Sequence, residues 1–223
     1  MDTILCGKTN PSISTDGESY SANIHGMDAL HKGIELDLAY KPIRQLEVEG
    51  LISIGDWCWT SANEVYIRDN NGRPLYDGSG KEIVYAFDAK GVHVGDAAQT
   101  QLGASIRYEI VSNLFVKANL TYFGRYFAEF DPMTLYGENA GRDSWQIPEY
   151  YLLDLTAGYS FDVFGYNMKL NFNVLNALDQ VYISDATNND QYTGQTYDSF
   201  DAKSAAVFFG LGRRYMASLK ILF

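Results

Sequence analysis

Tyr215-Met216-Ala217-Ser218-Leu219-Lys220-Ile221-Leu222-Phe223 closes the sequence. Every second residue, Tyr215, Ala217, Leu219, Ile221 and Phe223, is apolar or aromatic, and the residues between them include Ser218 and Lys220. A period of two belongs to a β-strand, whose successive side chains leave opposite faces. The stretch therefore reads as a strand with one uncharged face and one that accepts water.

Six earlier segments repeat the period. One phase runs Ile34, Leu36, Leu38, Tyr40; Leu46, Val48, Gly50, Ile52, Ile54; Leu102, Ala104, Ile106, Tyr108; and Leu114, Val116, Ala118, Leu120, Tyr122. It continues through Tyr151, Leu153, Leu155, Ala157, Tyr159, Phe161 and Met168, Leu170, Phe172, Val174 to the closing strand. That phase holds 33 residues and no charge, whereas the residues between them, with Arg214 ahead of the closing strand, number 27, ten of them charged: Glu35, Asp37, Glu47, Glu49, Arg107, Lys117, Asp154, Lys169, Arg214 and Lys220. A Lys or Arg at a bilayer midplane costs about 2–4 kcal/mol, so a lipid-facing sheet requires this separation. A soluble antiparallel sandwich also alternates, because one of its faces is buried.

Connection lengths distinguish the two. Links around 42–45, 111–113 and 162–165 are tight, while those over roughly 56–98, 129–149 and 180–209 reach about twenty residues or more. Compact soluble domains mostly use connections of about 4–6 residues. Short turns on one side and long loops on the other match the periplasmic and extracellular sides of an outer-membrane barrel. Tyr40, Tyr108, Tyr159, Phe161 and Phe223 fall at the short-turn ends in the uncharged phase, where amphipathic rings sit at headgroup level. Tyr122, Tyr126 and Tyr151 fall at the other ends. Trp57 and Trp59 follow the charged phase of their strand, so either Gly55 introduces a bulge or that segment lies above the membrane.

No run of eighteen apolar residues offers a transmembrane helix, and the mean hydropathy of −0.20 suits a polar lumen and polar loops. The long connections 56–98, 129–149 and 180–203 contribute −3, −4 and −3, nearly all of the formal charge of −11. Such an acidic surface argues against nucleic acid as a partner. Cys6 and Cys58 both fall on the extracellular side, where an oxidising compartment permits a disulfide, and neither has the spacing of a metal or redox motif. His25, His31 and His93 are scattered, so no metal site is expected. In Asp69-Asn70-Asn71-Gly72 a calcium loop is interrupted by Arg73 and Pro74, and Asn71-Gly72 reads as a hairpin turn. Gly78-Ser79-Gly80-Lys81 lacks the spacing of a phosphate loop. No catalytic constellation stands out: the expectation is a non-enzyme without cofactor.

The run Asn173-Val174-Leu175-Asn176-Ala177-Leu178-Asp179-Gln180-Val181-Tyr182 resembles a segment near the C-terminus of TonB-dependent outer-membrane receptors. Ala29 to Glu35, Gly55-Asp56-Trp57, Val94 to Ala97, Phe130-Asp131-Pro132 and Phe208 to Arg213 resemble members from the Bacteroidetes. In the closing strand, Tyr215, Leu219, Ile221 and Phe223 resemble the C-terminal assembly signal of Gram-negative outer-membrane proteins.

The resemblance implies an all-β fold, an antiparallel transmembrane β-barrel segment of about seven meandering strands from a 22-stranded barrel with long extracellular loops. Residues 1–32 are expected as an extracellular loop or leader and 33–223 as a single incomplete barrel domain. The chain shows no plug-like or TonB-contacting region, and Met1 to Cys6 lacks the basic start and apolar run of a signal peptide. It is therefore expected to be the C-terminal part of a receptor for active uptake of a scarce solute of the siderophore, vitamin or glycan class, not transport-competent alone. Implied partners are outer-membrane lipid, the plug and remaining barrel, TonB through an N-terminal segment, and the barrel-assembly machinery, all in a Gram-negative outer membrane. The alternative is a stand-alone small barrel with a structural or adhesion role, using Tyr20-Ser21-Ala22-Asn23-Ile24 as an eighth strand. Tyr66, Tyr76, Tyr85, Trp145, Tyr192 and Tyr197 are loop rings able to stack on a ligand. Glu35, Asp37, Arg107, Lys117, Asp154 and Lys169 would contact a plug or line water.

Overall fold

The computed structural model describes residues 27–66, 68, 72–135, 137–188 and 200–222. In chain order its strands are β1 (Ala29–Ile43), β2 (Leu46–Trp59), β3 (Ala62–Tyr66), β4 (Val84–Asp88), β5 (Ala98–Val111) and β6 (Leu114–Phe127). They continue with β7 (Gln146–Ile147), β8 (Tyr150–Val163), β9 (Tyr166–Leu175), β10 (Ile183–Asn188), β11 (Ala205–Phe209) and β12 (Arg214–Leu222). Helix among the described residues amounts to two single 3₁₀ turns, Pro132–Thr134 and Gly137–Asn139.

The seven expected strands form one antiparallel meander in the order β1-β2-β5-β6-β8-β9-β12. Among the described residues this makes an open set of barrel staves, with β1 and β12 at its two edges. The tight links are shorter still than the sequence suggests. Strands run to Ile43, Val111 and Val163, leaving Arg44–Gln45, Ser112–Asn113 and Phe164–Gly165 as two-residue turns. Asn113 (φ 72°), Phe164 (φ 51°) and Gly165 (φ 83°) adopt the left-handed conformation that such hairpins demand. Strand β1 also takes in residues 29–32, which pair with Trp59, Cys58, Trp57 and Asp56.

In the inner strands the uncharged phase is the more exposed one, and in the edge strands β1 and β12 both faces are open. Ile34, Leu38, Ile54, Ile106, Leu120, Leu155, Leu170, Phe172 and Leu219 all stand open, and Leu155, Leu170 and Phe172 have no second sheet or helix against them. A soluble sandwich would bury this face. From Ile34 to Ile43 the apolar run spans roughly 30 Å at about 3.3 Å per residue, or about 23 Å in height at a tilt near 40°, close to the apolar band of outer-membrane barrels. Tyr40, Tyr108, Tyr159 and Tyr166 stand exposed toward its lower edge.

The buried core lies elsewhere, in the long connections. Strands β3 and β4 form a two-stranded sheet, as do β10 and β11. One cluster gathers Phe87, Ala89, Val92 and Leu135, with Trp59 and Phe130 packed on it. A second gathers Ala128, Ile147, Ala186 and Phe200 beneath Tyr126, Trp145 and again Phe130. Phe130 therefore joins two small cores into one cap above the sheet. Tyr126 serves this cap rather than a lipid interface: it packs on the second cluster and its hydroxyl donates to the Ser184 carbonyl at 3.0 Å. Strand β7 keeps the register of the β6–β8 ladder, since Phe127 faces Gln146 and Phe123 faces Tyr150. Pro148, which has no N–H to donate, lies in the break between β7 and β8.

Gly55 carries no bulge toward β1, because pairing runs unbroken from Ala29↔Trp59 to Tyr40↔Val48. The irregularity lies on the other side. Pairing of β2 with β5 stops at Ile54↔Thr100, and the segment 92–94 takes over as partner of Trp57 to Trp59, with residues 95–97 looping out between. Trp59 consequently packs into the cap, above the apolar band.

Candidate functional site: the lumen face and its extracellular rim

The residues alternating with the lipid-facing ones build a polar wall. Glu49 on β2 and Lys117 on β6 reach across β5 to pair at 3.2 Å. The Arg107 guanidinium lies 4.2 Å from the centre of the Phe115 ring. Thr156 donates its hydroxyl to Asn173 Oδ1 at 2.9 Å, and Asp154 accepts the backbone N–H of Asn176 at 2.8 Å. Cross-strand polar contacts of this kind suit a wall that meets water or protein, not lipid. A hollow of about 400 Å³ opens among Asp37, Glu49, Ser105, Asn119 and Thr121 beside Leu51. Gly103 helps to form it, since a Cβ there would come within 3.2 Å of the Leu51 Cβ.

Aromatic rings cover glycines along this wall and at its rim. Phe115 lies over Gly158 directly opposite it, Trp57 over Gly55, and Tyr182 over Gly210. Phe123, Tyr150 and Tyr182 stack in sequence at centroid distances of 4.9 and 4.5 Å, and His31 stacks on Trp57 at 5.3 Å.

At the extracellular end of β1 and β2 the pattern changes. Lys32 and Asp56, in phase with Ile34 and Ile54, form an ion pair at 2.8 Å. Arg125, whose left-handed backbone (φ 49°) departs from regular strand geometry, donates to Asp56 Oδ1 at 3.0 Å and to the Gly55 carbonyl at 2.7 Å. These charges mark where the apolar band ends. Gln99 closes the gap left by the diverging strands: its amide accepts the Trp57 N–H at 2.9 Å and donates to the Trp57 carbonyl at 3.0 Å. The fit is tight, with Gln99 only 1% exposed.

His93 sits in the same group, stacked on Phe127 at 3.9 Å. Its Nδ1 lies 2.8 Å from Asp143 Oδ2, and its backbone N–H donates to Asp143 Oδ1 at 2.9 Å.

The residues proposed from sequence fall into three groups. Tyr66 and Tyr76 stand exposed on the cap and remain open to a ligand. Trp145 is half-buried, packed against the cluster of Ala128, Ile147, Ala186 and Phe200. Tyr192, Tyr197, Cys6, Phe223, Tyr20 to Ile24 and Asn71 lie outside the described residues, as does the side chain of Tyr85. Gly72 carries the positive φ of 77° that a hairpin turn uses. Gly78-Ser79-Gly80-Lys81 is a turn and not a phosphate cradle. Asp77 Oδ1 accepts the Ser79 hydroxyl at 2.6 Å and the backbone N–H groups of Ser79 and Lys81 at 2.9 and 3.0 Å. These bonds, the hydroxyl's first, hold the Asp77 carboxyl below its ordinary value. Tyr215, Leu219 and Ile221 stand exposed on one face of β12. Gln99, Arg125 and Asp143 were not legible as site residues, because their partners are set by a strand divergence that no local pattern announces.

An antiparallel meander with an exposed uncharged face, a polar opposite face, two-residue turns at one end and a packed cap at the other defines a transmembrane β-barrel segment. A family model described as TonB dependent receptor-like, beta-barrel, matches residues 2–177, and the chain belongs to that family. Barrel domains of this family belong to outer-membrane receptors of Gram-negative bacteria, and the exposed apolar band of this sheet suits such a setting. No curated protein matches the chain. Beyond the matched region the same architecture continues, with β12 laddered on β9 from Arg214↔Leu175 to Leu222↔Asn167.

Proposed function

We propose that the chain is the C-terminal barrel portion of a TonB-dependent receptor that takes up a scarce solute of the siderophore, vitamin or glycan class, as in the Bacteroidetes members that its motifs resemble. The observation that carries this reading is the seven-strand sheet, uncharged on one face across its apolar band and, among the described residues, paired on only one side of β1 and of β12. Such edges call for further staves of the same barrel, since an unpaired strand edge in lipid leaves backbone groups unsatisfied. Residues 33–223 then act as one incomplete barrel unit, with the residues before them on the extracellular side. Without a plug and the remaining strands the chain would not transport.

The polar wall would face the plug and the solute path, and the cap with Tyr66 and Tyr76 would meet the solute first. In assembly, Tyr215, Leu219, Ile221 and Phe223 would be read by the barrel-assembly machinery, a role supported by the exposed apolar face of β12. The test is growth on limiting iron chelates, corrinoids or oligosaccharides, comparing cells that carry or lack the intact receptor gene, with and without TonB. A growth defect on one class that requires both the receptor and TonB is expected. Uptake through the receptor that persists without TonB would refute the reading.

A further inference from the structure

Asp143 can only accept, so its short contact with His93 Nδ1 places the ring proton on that nitrogen and leaves Nε2 as the other pole of the ring. Nε2 lies 3.7 Å from Asp56 Oδ1, too far for a hydrogen bond. Two electron-rich atoms thus face each other across a gap that a cation would fill. Cys58 stands opposite His93 in an antiparallel bridge, and ligand atoms of Asp56, Cys58 and His93 all lie within 4.8 Å of one another.

Oxygen and nitrogen ligands at about 2.0–2.1 Å around a tetrahedral zinc ion stand roughly 3.3 Å apart, and nitrogen and thiolate sulfur roughly 3.6 Å. The observed 3.7 Å between oxygen and nitrogen is a few tenths above the first value, and the sulfur lies within 4.8 Å of both atoms. We propose that Asp56, Cys58 and His93 form a binding site for one divalent transition-metal ion of the zinc class, with Asp143 orienting the imidazole from behind. One nitrogen, one sulfur and one oxygen donor leave the fourth position open to water, and a carboxylate on the far nitrogen of a ligating histidine is the usual supporting contact. Binding displaces the thiol proton of Cys58 to solvent, and no electron moves. Lys32 and Arg125 occupy other lone pairs of Asp56 and hold it in place. The ion would fasten the 92–94 segment of the cap to the end of β2. The sequence conceals the site, because Cys58 and His93 come together only through the strand divergence beside Gln99.

The test titrates the folded full chain in detergent micelles with Co²⁺ as a spectroscopic probe and Zn²⁺ as its competitor. One Co²⁺ per chain is expected, with a thiolate-to-cobalt absorption band that Zn²⁺ abolishes. Cys58→Ser should remove the band, and His93→Gln should weaken binding by about tenfold or more. Asp143→Asn should weaken it by about 10–100-fold while keeping the band. Because variants at the rim can misfold, the unsubstituted chain is also alkylated with and without Zn²⁺, and peptide mapping should show Cys58 protected. Absence of saturable Co²⁺ binding, binding unchanged in both Cys58→Ser and His93→Gln, or equal alkylation of Cys58 would overturn the proposal.

Discussion

Asn119 and Leu120 are neighbours on β6 that face opposite solvents. Leu120 is 43% exposed on the apolar face, while Asn119 lies in the polar hollow directly opposite Asp154 on β8. Leu120→Lys should therefore destabilise the membrane-inserted protein by about 2–4 kcal/mol, whereas Asn119→Lys gains a carboxylate partner and should change stability little. Denaturant titration in lipid vesicles measures both, and equal losses would mean that neither face meets lipid. A second pair tests packing. Gly158 has no room for a Cβ beneath the Phe115 ring, so Gly158→Ala should cost about 1–3 kcal/mol. In Phe115→Ala the same change should cost much less, a non-additivity that a double-mutant cycle reads directly. The side to which Leu120 belongs is legible in the sequence, because alternation alone assigns it. The ring over Gly158 is not, because it depends on which residues of β6 and β8 stand opposite.

Gln99 shows how an element can rest on a single side chain. It stands in for the strand pairing that β2 loses beyond Ile54, so Gln99→Ala leaves the Trp57 N–H and carbonyl without that partner. A loss of about 1–3 kcal/mol is expected, seen as faster amide exchange at Trp57 with the lower part of β2 unaffected. The turn at Asp77 responds to pH. Its carboxyl is held below the ordinary value of about 3.9, so its contribution to the turn is present above that value and lost as pH falls through the lower, folded one. Protection of the Ser79 and Lys81 amides should accordingly fade in acid, and Asp77→Asn should abolish that pH dependence. The seven long strands and their turns could be read because each repeats its pattern over many residues. The sheets β3–β4 and β10–β11 could not, being five or six residues long.

At the scale of the whole molecule, packing and membrane spanning are separated. The sheet displays its apolar side chains outward, and most of the fully enclosed apolar residues, Leu135, Ile147, Val92 and Ala128 among them, belong to the cap. Phe130 touches both halves of that cap, so Phe130→Ala should loosen it, by less than the about 3–5 kcal/mol of a fully buried phenylalanine because the ring is half-buried. Protease sensitivity of the extracellular connections should rise while the strands stay inserted. Release of the strands from the membrane together with the cap would contradict this separation. The order of the meander has a mechanical consequence. Among the described residues each long strand ladders with its neighbours in the meander, apart from the short extension that β7 provides and the segment 92–94 beside the end of β2. Pulled from its C-terminal end, the protein would surrender β12 first, then β9 and then β8. Each step would unzip one ladder and leave the next intact, and a force-extension trace would read as a series of separate rips rather than a single rupture.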